Sequence, residues 1–462
     1  MACLRDRWRR YWSEGAVTVL AAAQFYCLLT CLMVLRPARE ALGLEGGIEA
    51  VRWLFMGTLL VTLLVHPVFA WLVSRTSRRV FLPLTYRFFA ASLIGFWLTI
   101  ELWPEAVGAV TGRLFYVWLS VFNLAAVGLF WALLADGLQL QQSKRLFGII
   151  AVGGTLGAIT GSAVSAFFAS TLGTAALLLI GAALLEVSIW FGRAISHRMD
   201  RLHDQGSPGE STTDSSGPQG RPPHMETRVA LPRDAVELAE AARSTSPPSR
   251  RIIGGSALDG LRKVARSPYL LSICAYIVMI SITATFLYFT QLRLVDALGG
   301  SRDENTRIFA HIDLWTQIAT LLMQALLAGW LMRRLGVGIA LALLPILTMV
   351  GFVWLAAAPA LAVLVLVQAV FRAVNRAIAR PARETLFTVV SRDEKYKAKS
   401  LIDTFIYRGG DVIGAQAERP LHALAPGLLG LSLAVVPIAI AWTSLSVYLG
   451  VRQHALSKNA VV

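Results

Sequence analysis

The chain has 462 residues, of which 56% are hydrophobic and only 15% charged, and its mean hydropathy is +0.60. That balance excludes a soluble globular protein, and recurrent apolar runs of about 20 residues, each able to cross a bilayer core as a helix, predict a polytopic helical membrane protein; the alternating segments of about 10 residues that a membrane barrel needs are missing. The net charge of +15 therefore sets orientation from short loops and is not read as affinity for nucleic acid.

Arg5, Arg7, Arg9 and Arg10 precede the first apolar run. That run is too long for a signal-peptide core and lacks a small-residue cleavage pattern, so it is expected to stay as the first span. Twelve spans are predicted, at 15–38, 50–73, 80–102, 112–135, 145–169, 172–194, 268–291, 306–331, 337–357, 360–380, 400–421 and 427–450. Alternate loops are rich in arginine and lysine, as at Arg75, Arg78 and Arg79, at Lys144 and Arg145, and at Arg333 and Arg334. This alternation predicts both termini in the cytoplasm, and a bacterial inner membrane is the expected location. Cys27, Cys31 and Cys274 fall in spans and Cys3 near the N-terminus, with no metal-type spacing, so packing is their expected role.

Between spans six and seven, residues 196–266 carry SPGESTTDSSGPQGRPP and STSPPSRR. This composition cannot bury a core, and most of it is expected to be disordered. The predicted organisation is a six-helix half at 1–195, a cytoplasmic linker at 196–266 and a second six-helix half at 267–462. The halves look like repeats. Ala70–Leu82 (AWLVSRTSRRVFL) follows span two and Ala328–Gly336 (AGWLMRRLG) follows span eight. Both resemble the loop motif of the major facilitator superfamily, Gly-x-Leu-Ala-Asp-Arg-x-Gly-Arg-Arg, without its acidic residue. GGTLGA at 153–158 in span five pairs with GGDVIGA at 409–415 in span eleven. Gly153, Gly157 and Gly161, four apart, predict close helix packing.

An ionisable group inside a span costs about 2.5–3.5 kcal/mol at the bilayer centre, so each asks for a reason. Span ten holds Arg372, Arg376 and Arg380 at intervals of four, then Arg383. Residues at that spacing share a helix face, and guanidinium forks suit phosphate oxygens. They are read either as a polyanion path or, for Arg380 and Arg383, as side chains snorkelling to the cytoplasmic face. Span eleven carries Asp403, Arg408, Asp411 and Glu418; Arg408 either pairs with Asp411 or contacts solute while Asp411 sets its pose or carries a coupling charge. Asp136 closes span four, and Arg87 in span three and Glu186 in span six are singletons. No phosphate-binding loop of the Gly-x-x-x-x-Gly-Lys-Ser/Thr kind occurs, nor any nucleophile–base or metal set, so no enzyme, cofactor or metal is expected and gradients should drive transport.

The segment RPARETLFTVVSRDEKYKAKSLIDTFIYRGGD at 380–411 resembles the ATP/ADP translocase family of plastids and intracellular bacteria, which is allied to the major facilitator superfamily. Pro381, Arg383, Glu384, Glu394, Lys395, Lys397, Lys399, Ile402 and Asp403 fall in register with it. Arg36, Arg39, Glu40 and Leu42 fall in register in span one, as do Trp131, Ala132, Lys144 and Arg145 at span four. The resemblance implies nucleotide exchange, with Arg39, Arg383 and Lys399 on the anion and Asp136 as the acidic partner. The chain departs from the family in having arginine at 39 and 383 and aspartate at 136.

The fold expected is all-α, with twelve helices of major-facilitator type in two six-helix halves. The function expected is alternating-access transport of an anionic solute such as ATP or ADP, by a monomer in the bilayer. Arg36, Arg39, Arg372, Arg376, Arg383, Lys399 and Arg408 are the expected binding residues. Glu40, Asp136, Asp403 and Asp411 are the expected gating or coupling residues. The alternatives are a proton-coupled carrier of a drug, sugar or lipid intermediate, or a membrane sensor that signals through 196–266. The pentapeptide RPARE, at 36–40 and again at 380–384, reads as two basic mouths, one toward each side.

Overall fold

A computed structural model describes residues 2–75, 78–137, 140–204, 264–328, 336–390, 402–424 and 428–459. Among these residues the chain forms twelve long helices. The first six are α1 (Ala2–Leu44), α2 (Gly47–Arg75), α3 (Arg78–Leu102), α4 (Pro104–Gly137), α5 (Leu140–Leu172) and α6 (Thr174–Asp204). The last six are α7 (Pro268–Asp296), α8 (Arg302–Met323), α9 (Val337–Ala357), α10 (Leu361–Val374), α11 (Tyr407–Leu424) and α12 (Leu428–Asn459). With an even number of passes, α1 begins and α12 ends on one side of the bundle, the termini side.

Local chemistry sets several boundaries. Ser267 caps α7 by accepting from the Leu270 N–H, with Pro268 in the first turn, where its missing N–H costs nothing. Ser301 and Glu304 form a capping box that starts α8. Gly47, Gly173 and Gly299 take positive φ at turns on the side opposite the termini, a conformation that a Cβ would strain. α10 does not stop at Val374. It runs through a π turn at Asn375–Ala379 into a further helical stretch, Arg380–Leu386. Pro381 lacks an N–H to give back to the preceding turn, and the wider π turn accommodates the break.

Ten of the helices are long and apolar enough to cross a membrane by length and composition. The two others, α8 and α11, are those whose sequences carry several charged residues, Asp313 in α8 and Arg408, Asp411 and Glu418 in α11 among them. Their charges turn inward, as described below. Large apolar side chains such as Leu64, Leu326 and Trp190 are exposed, which is how a lipid-facing surface looks without its lipid. α6 continues to Asp204, ten residues past the expected end at 194. The rest of the expected linker, 205–263, lies outside the described residues, as do 76–77 and 329–335 of the two loop motifs.

One apolar cluster draws only on residues of α1 and α3–α6, another only on residues from Val264 onward. A third joins the halves on the side opposite the termini, with Leu44, Val51 and Tyr116 against Phe289, Leu292, Phe309 and Ala415. α5 also meets α8 through Ala166, Ala310 and Leu314.

The two glycine motifs do the same job. A Cβ at Gly153, Gly157 or Gly161 would collide with the backbone of α1 at Ala22, Tyr26 and Thr30. A Cβ at Gly410 or Gly414 would collide with α7 at Ser281 and Ile282. In each half the fifth helix is laid against the first at backbone distance. Gly157→Ala is expected to cost about 1–3 kcal/mol by overpacking and to lower the melting temperature in detergent. Gly128→Ala, where a Cβ meets nothing within 4 Å, should leave it unchanged. Equal melting of the two variants would contradict the packing role. Cys27, Cys31 and Cys274 are buried free thiols, as packing residues should be.

Candidate functional site

The helices converge on a cavity of about 200 Å³ between the halves. Arg39, Phe55 and Tyr116 line it from the first half, and Tyr288, Arg408 and Asp411 from the second. Thr58, Ser120 and Thr285 add hydroxyl groups. The Arg39 guanidinium lies over the Tyr116 ring, 4.5 Å from its centroid, a geometry in which the ring quadrupole attracts the cation. Arg39 also donates to Glu40. Glu40, 2% exposed, accepts a second hydrogen bond from the Tyr288 hydroxyl. The Tyr116 and Tyr288 hydroxyls are 3.0 Å apart. The buried Nε of Arg39 has no hydrogen-bond partner, and Arg39 as a residue lines the cavity. Across the cavity, Arg408 pairs with Asp411 at 3.6 Å, one helical turn on.

A second network adjoins the first. Asp313 of α8 accepts from Arg372 Nη1 at 3.0 Å and lies 3.5 Å from Arg36 Nε of α1. Arg36 is also 4.0 Å from Glu40. Arg372 Nη2 donates to Gln368 at 3.1 Å, and the Gln368 amide donates to Gln291 at 2.7 Å. Arg376 Nη1 donates to Gln317 at 3.3 Å. Three guanidinium groups, on Arg36, Arg39 and Arg372, thus share two carboxylates, Glu40 and Asp313, and Arg376 stands beside them on Gln317. The cluster carries a formal excess of positive charge inside the bundle, where charge is costly.

The structure brings together only part of the expected set. Arg36, Arg39, Glu40, Arg372, Arg376, Arg408 and Asp411 converge on the cavity and its adjoining network. Arg383 does not join them. It is 5% exposed, donates to the Tyr407 hydroxyl and lies over that ring, so it ties α11 to the end of the α10 rod. The expected basic face is split because the π turn at Asn375–Ala379 shifts the helical phase between Arg376 and Arg383. The two-mouths reading of RPARE is also corrected. Arg36 and Arg39 lie in the interior, and Asp313 joins Arg36 directly to Arg372. Asp136 and Asp403 are placed on helices, with nothing described of their side chains, and Lys399 lies outside the described residues.

The side opposite the termini is held shut by charge as well as apolar packing. Glu418 of α11 is fully buried. It accepts from Arg52 Nη2 of α2 at 2.7 Å and from Arg293 of α7 at 2.7 and 2.5 Å. Arg52 Nε also donates to the Ala415 carbonyl at 3.0 Å. Arg302 of α8 pairs with Glu45 at the end of α1, and Asp303 accepts from the Thr174 N–H at 2.7 Å. Each of these contacts except Arg293–Glu418 crosses between halves.

Sequence reasoning missed Tyr116, Tyr288, Arg52 and Arg293 as site or seal residues. The uncharged amides Gln291, Gln317 and Gln368 carried a usable signal, because an amide inside an apolar run also needs a partner. The tyrosines carried none.

The pattern of the Major Facilitator Superfamily matches residues 18–415. Among solved structures, a crystal structure of a variant of the nucleoside transporter NupG is similar in fold, with a TM-score of 0.53 at 14% identity. The alignment covers 96% of this chain and 99% of that one. A bacterial homologue of the human lysosomal transporter Spinster, in an inward-facing and unoccupied conformation, gives a TM-score of 0.45 at 14% identity over 97% of each chain. No curated protein matches the chain.

Proposed function

We propose a solute class from one premise: the chain belongs to the major facilitator superfamily and is a multi-pass membrane secondary transporter. Its solute is anionic, and phosphate is the group that the site favours. The observation that carries this reading is the cluster of Arg36, Arg39 and Arg372 around two carboxylates, with Arg376 beside them and Arg39 and Arg408 lining the cavity. A bound oxyanion would balance the excess charge. Planar guanidinium groups fit it better than point charges would. Phe55, Tyr116 and Tyr288 offer ring faces for an apolar or aromatic portion.

Two six-helix halves, the first ending with α6 at Asp204 and the second at 267–462, rock about this site, joined by a cytoplasmic linker. In the sealed arrangement described above, the solute leaves or enters from the termini side, which the loop charges assign to the cytoplasm. The finer reading is nucleotide exchange, ATP against ADP, across a bacterial inner membrane. It is supported by the registered segments at 36–42, 131–145 and 380–403. A 200 Å³ cavity is below the roughly 300 Å³ of small-molecule pockets, so the halves must part before a whole nucleotide fits.

The test is counterflow in vesicles that hold purified protein and a panel of nucleotides, inorganic phosphate and other anions. Labelled ATP should accumulate against internal nucleotide. Counterflow of labelled phosphate without counterflow of labelled ATP would keep the anion reading and remove the nucleotide. No counterflow of any anion would sink both.

A second reading, proton coupling, is favoured by Asp411, a carboxylate on the cavity wall beside Arg408. If protons drive uptake there, Asp411→Asn should abolish accumulation driven by a pH gradient and leave solute exchange at equal pH intact. Unchanged gradient-driven uptake by that variant would remove Asp411 from coupling.

A further inference from the structure

Arg87 of α3 and Glu186 of α6 form an ion pair that faces away from everything described so far. Arg87 Nε lies 3.5 Å from Glu186 Oε1, and the side chains are 54% and 48% exposed. Their surroundings are lipid-facing: Leu84, Phe88 and Trp190 are 62%, 64% and 77% exposed. Glu186 is at the centre of the apolar window Thr174–Arg198, roughly 18 Å of helix from either end at ~1.5 Å per residue. Arg87 lies six residues inside the start of its own apolar window, Phe81–Leu102, roughly 9 Å at that rise, so both groups fall within the apolar part of their helices. An ion pair half open to hydrocarbon is costly, and such groups turn toward protein when they can.

We infer that this face is covered in the membrane by the same face of a second copy, forming a two-fold dimer through α3 and α6. The charge pattern is self-complementary. Both copies insert in the same orientation, so the two-fold axis runs along the membrane normal and preserves depth. Arg87 of each copy then stands level with Glu186 of the other, because the two already share one depth within a chain. Such an isologous contact closes with two copies. Two half-used ion pairs become a ring of four alternating charges, shielded from lipid. The neighbouring surface of α3 allows the approach. Ala91 and Gly95 continue the Arg87 stripe at intervals of four, both are exposed, and a Cβ at Gly95 would meet nothing within 4 Å. Small residues at this spacing let helices approach closely in lipid. α3 and α6 contribute nothing to the cavity lining, so the dimer leaves the halves free to rock. A dimer replaces the monomer expected from sequence.

The test uses the full chain in native membranes, with Cys3→Ser to remove the cysteine nearest the N-terminus. Oxidation of an Ala91→Cys variant should give a cross-linked dimer as the main band. Val350→Cys, exposed on α9 of the other half, should give none. Arg87→Glu should abolish the Ala91→Cys cross-link, and Arg87→Glu with Glu186→Arg should restore it. If the single charge variant fails to insert, Gly95→Leu keeps both charges and should still lose the cross-link. Fluorescently labelled parent protein in lipid nanodiscs should bleach in two steps. One-step bleaching with no cross-link from Ala91→Cys would overturn the dimer, including when a lipid or another protein is retained instead. A cross-link insensitive to charge reversal would overturn the role of the pair.

Discussion

Arg39→Gln should abolish solute exchange while the protein still inserts and folds. Arg39 is held on three sides, by the Tyr116 ring, by Glu40 and by the cavity it lines. Removing one partner of a desolvated charge–charge contact costs about 2–5 kcal/mol. At about 1.4 kcal/mol per tenfold, that is a loss between about 30-fold and a few thousand-fold in affinity. Part of any loss could come from the orphaned Glu40, so the double variant Arg39→Gln with Glu40→Gln separates the two causes. It leaves no uncompensated carboxylate and should melt like the parent, yet still fail to exchange. Recovery of exchange in the double variant would show that Arg39 serves Glu40 and not the solute. In Arg39→Gln alone, Arg36 at 4.0 Å and the Tyr288 hydroxyl still support Glu40, which is why folding should survive.

Glu418→Gln should open the sealed side. Glu418 is fully buried and is the common acceptor of Arg52 and Arg293. Breaking a buried ionic group by removing one partner costs about 3–5 kcal/mol, because the remaining charges are left uncompensated. The Arg52–Glu418 contact exists only when the halves are together on that side, so its share of the cost falls on the sealed state. A shift of that size moves a two-state population by roughly 10²- to 10³-fold or more. Spin labels at Thr171, exposed in the last turn of α5, and at Leu298, exposed in the turn after α7, should move apart. Glu49→Gln is the contrast. Glu49 also contacts Arg52 and Arg419, but it is 52% exposed, and exposed pairs are worth about 0–1 kcal/mol. Its label distances should stay as in the parent. Equal distances in Glu418→Gln and the parent would remove Glu418 as the latch.

The class of the molecule was legible from local pattern alone. Twenty-residue apolar runs report a bilayer through their length, and the described residues form twelve long helices where twelve spans were read. Gly153, Gly157 and Gly161 announced a close helix contact through their spacing, and the partner proved to be α1. Arg408 and Asp411, one turn apart, paired within their helix. Each of these features is decided within a few residues along the chain.

What the fold decided is which distant charges meet. Arg52 and Glu418 are 366 residues apart, and nothing local marks them as partners; their meeting depends on how α2 and α11 are rotated and how deep each sits. Asp313 reaches Arg36 and Arg372 from a third helix for the same reason. The even spacing of Arg372, Arg376 and Arg380 suggested one continuous basic face, but a π turn forced near Pro381 rotated Arg383 away toward Tyr407. Arg87 and Glu186 read as isolated oddities until α3 and α6 came side by side. The sequence determined that helices would span a membrane and that its interior would carry arginine. Tertiary packing determined where that charge is balanced and where a donor is left free, because the axial rotation and depth of a helix are set by its neighbours and not by its own residues.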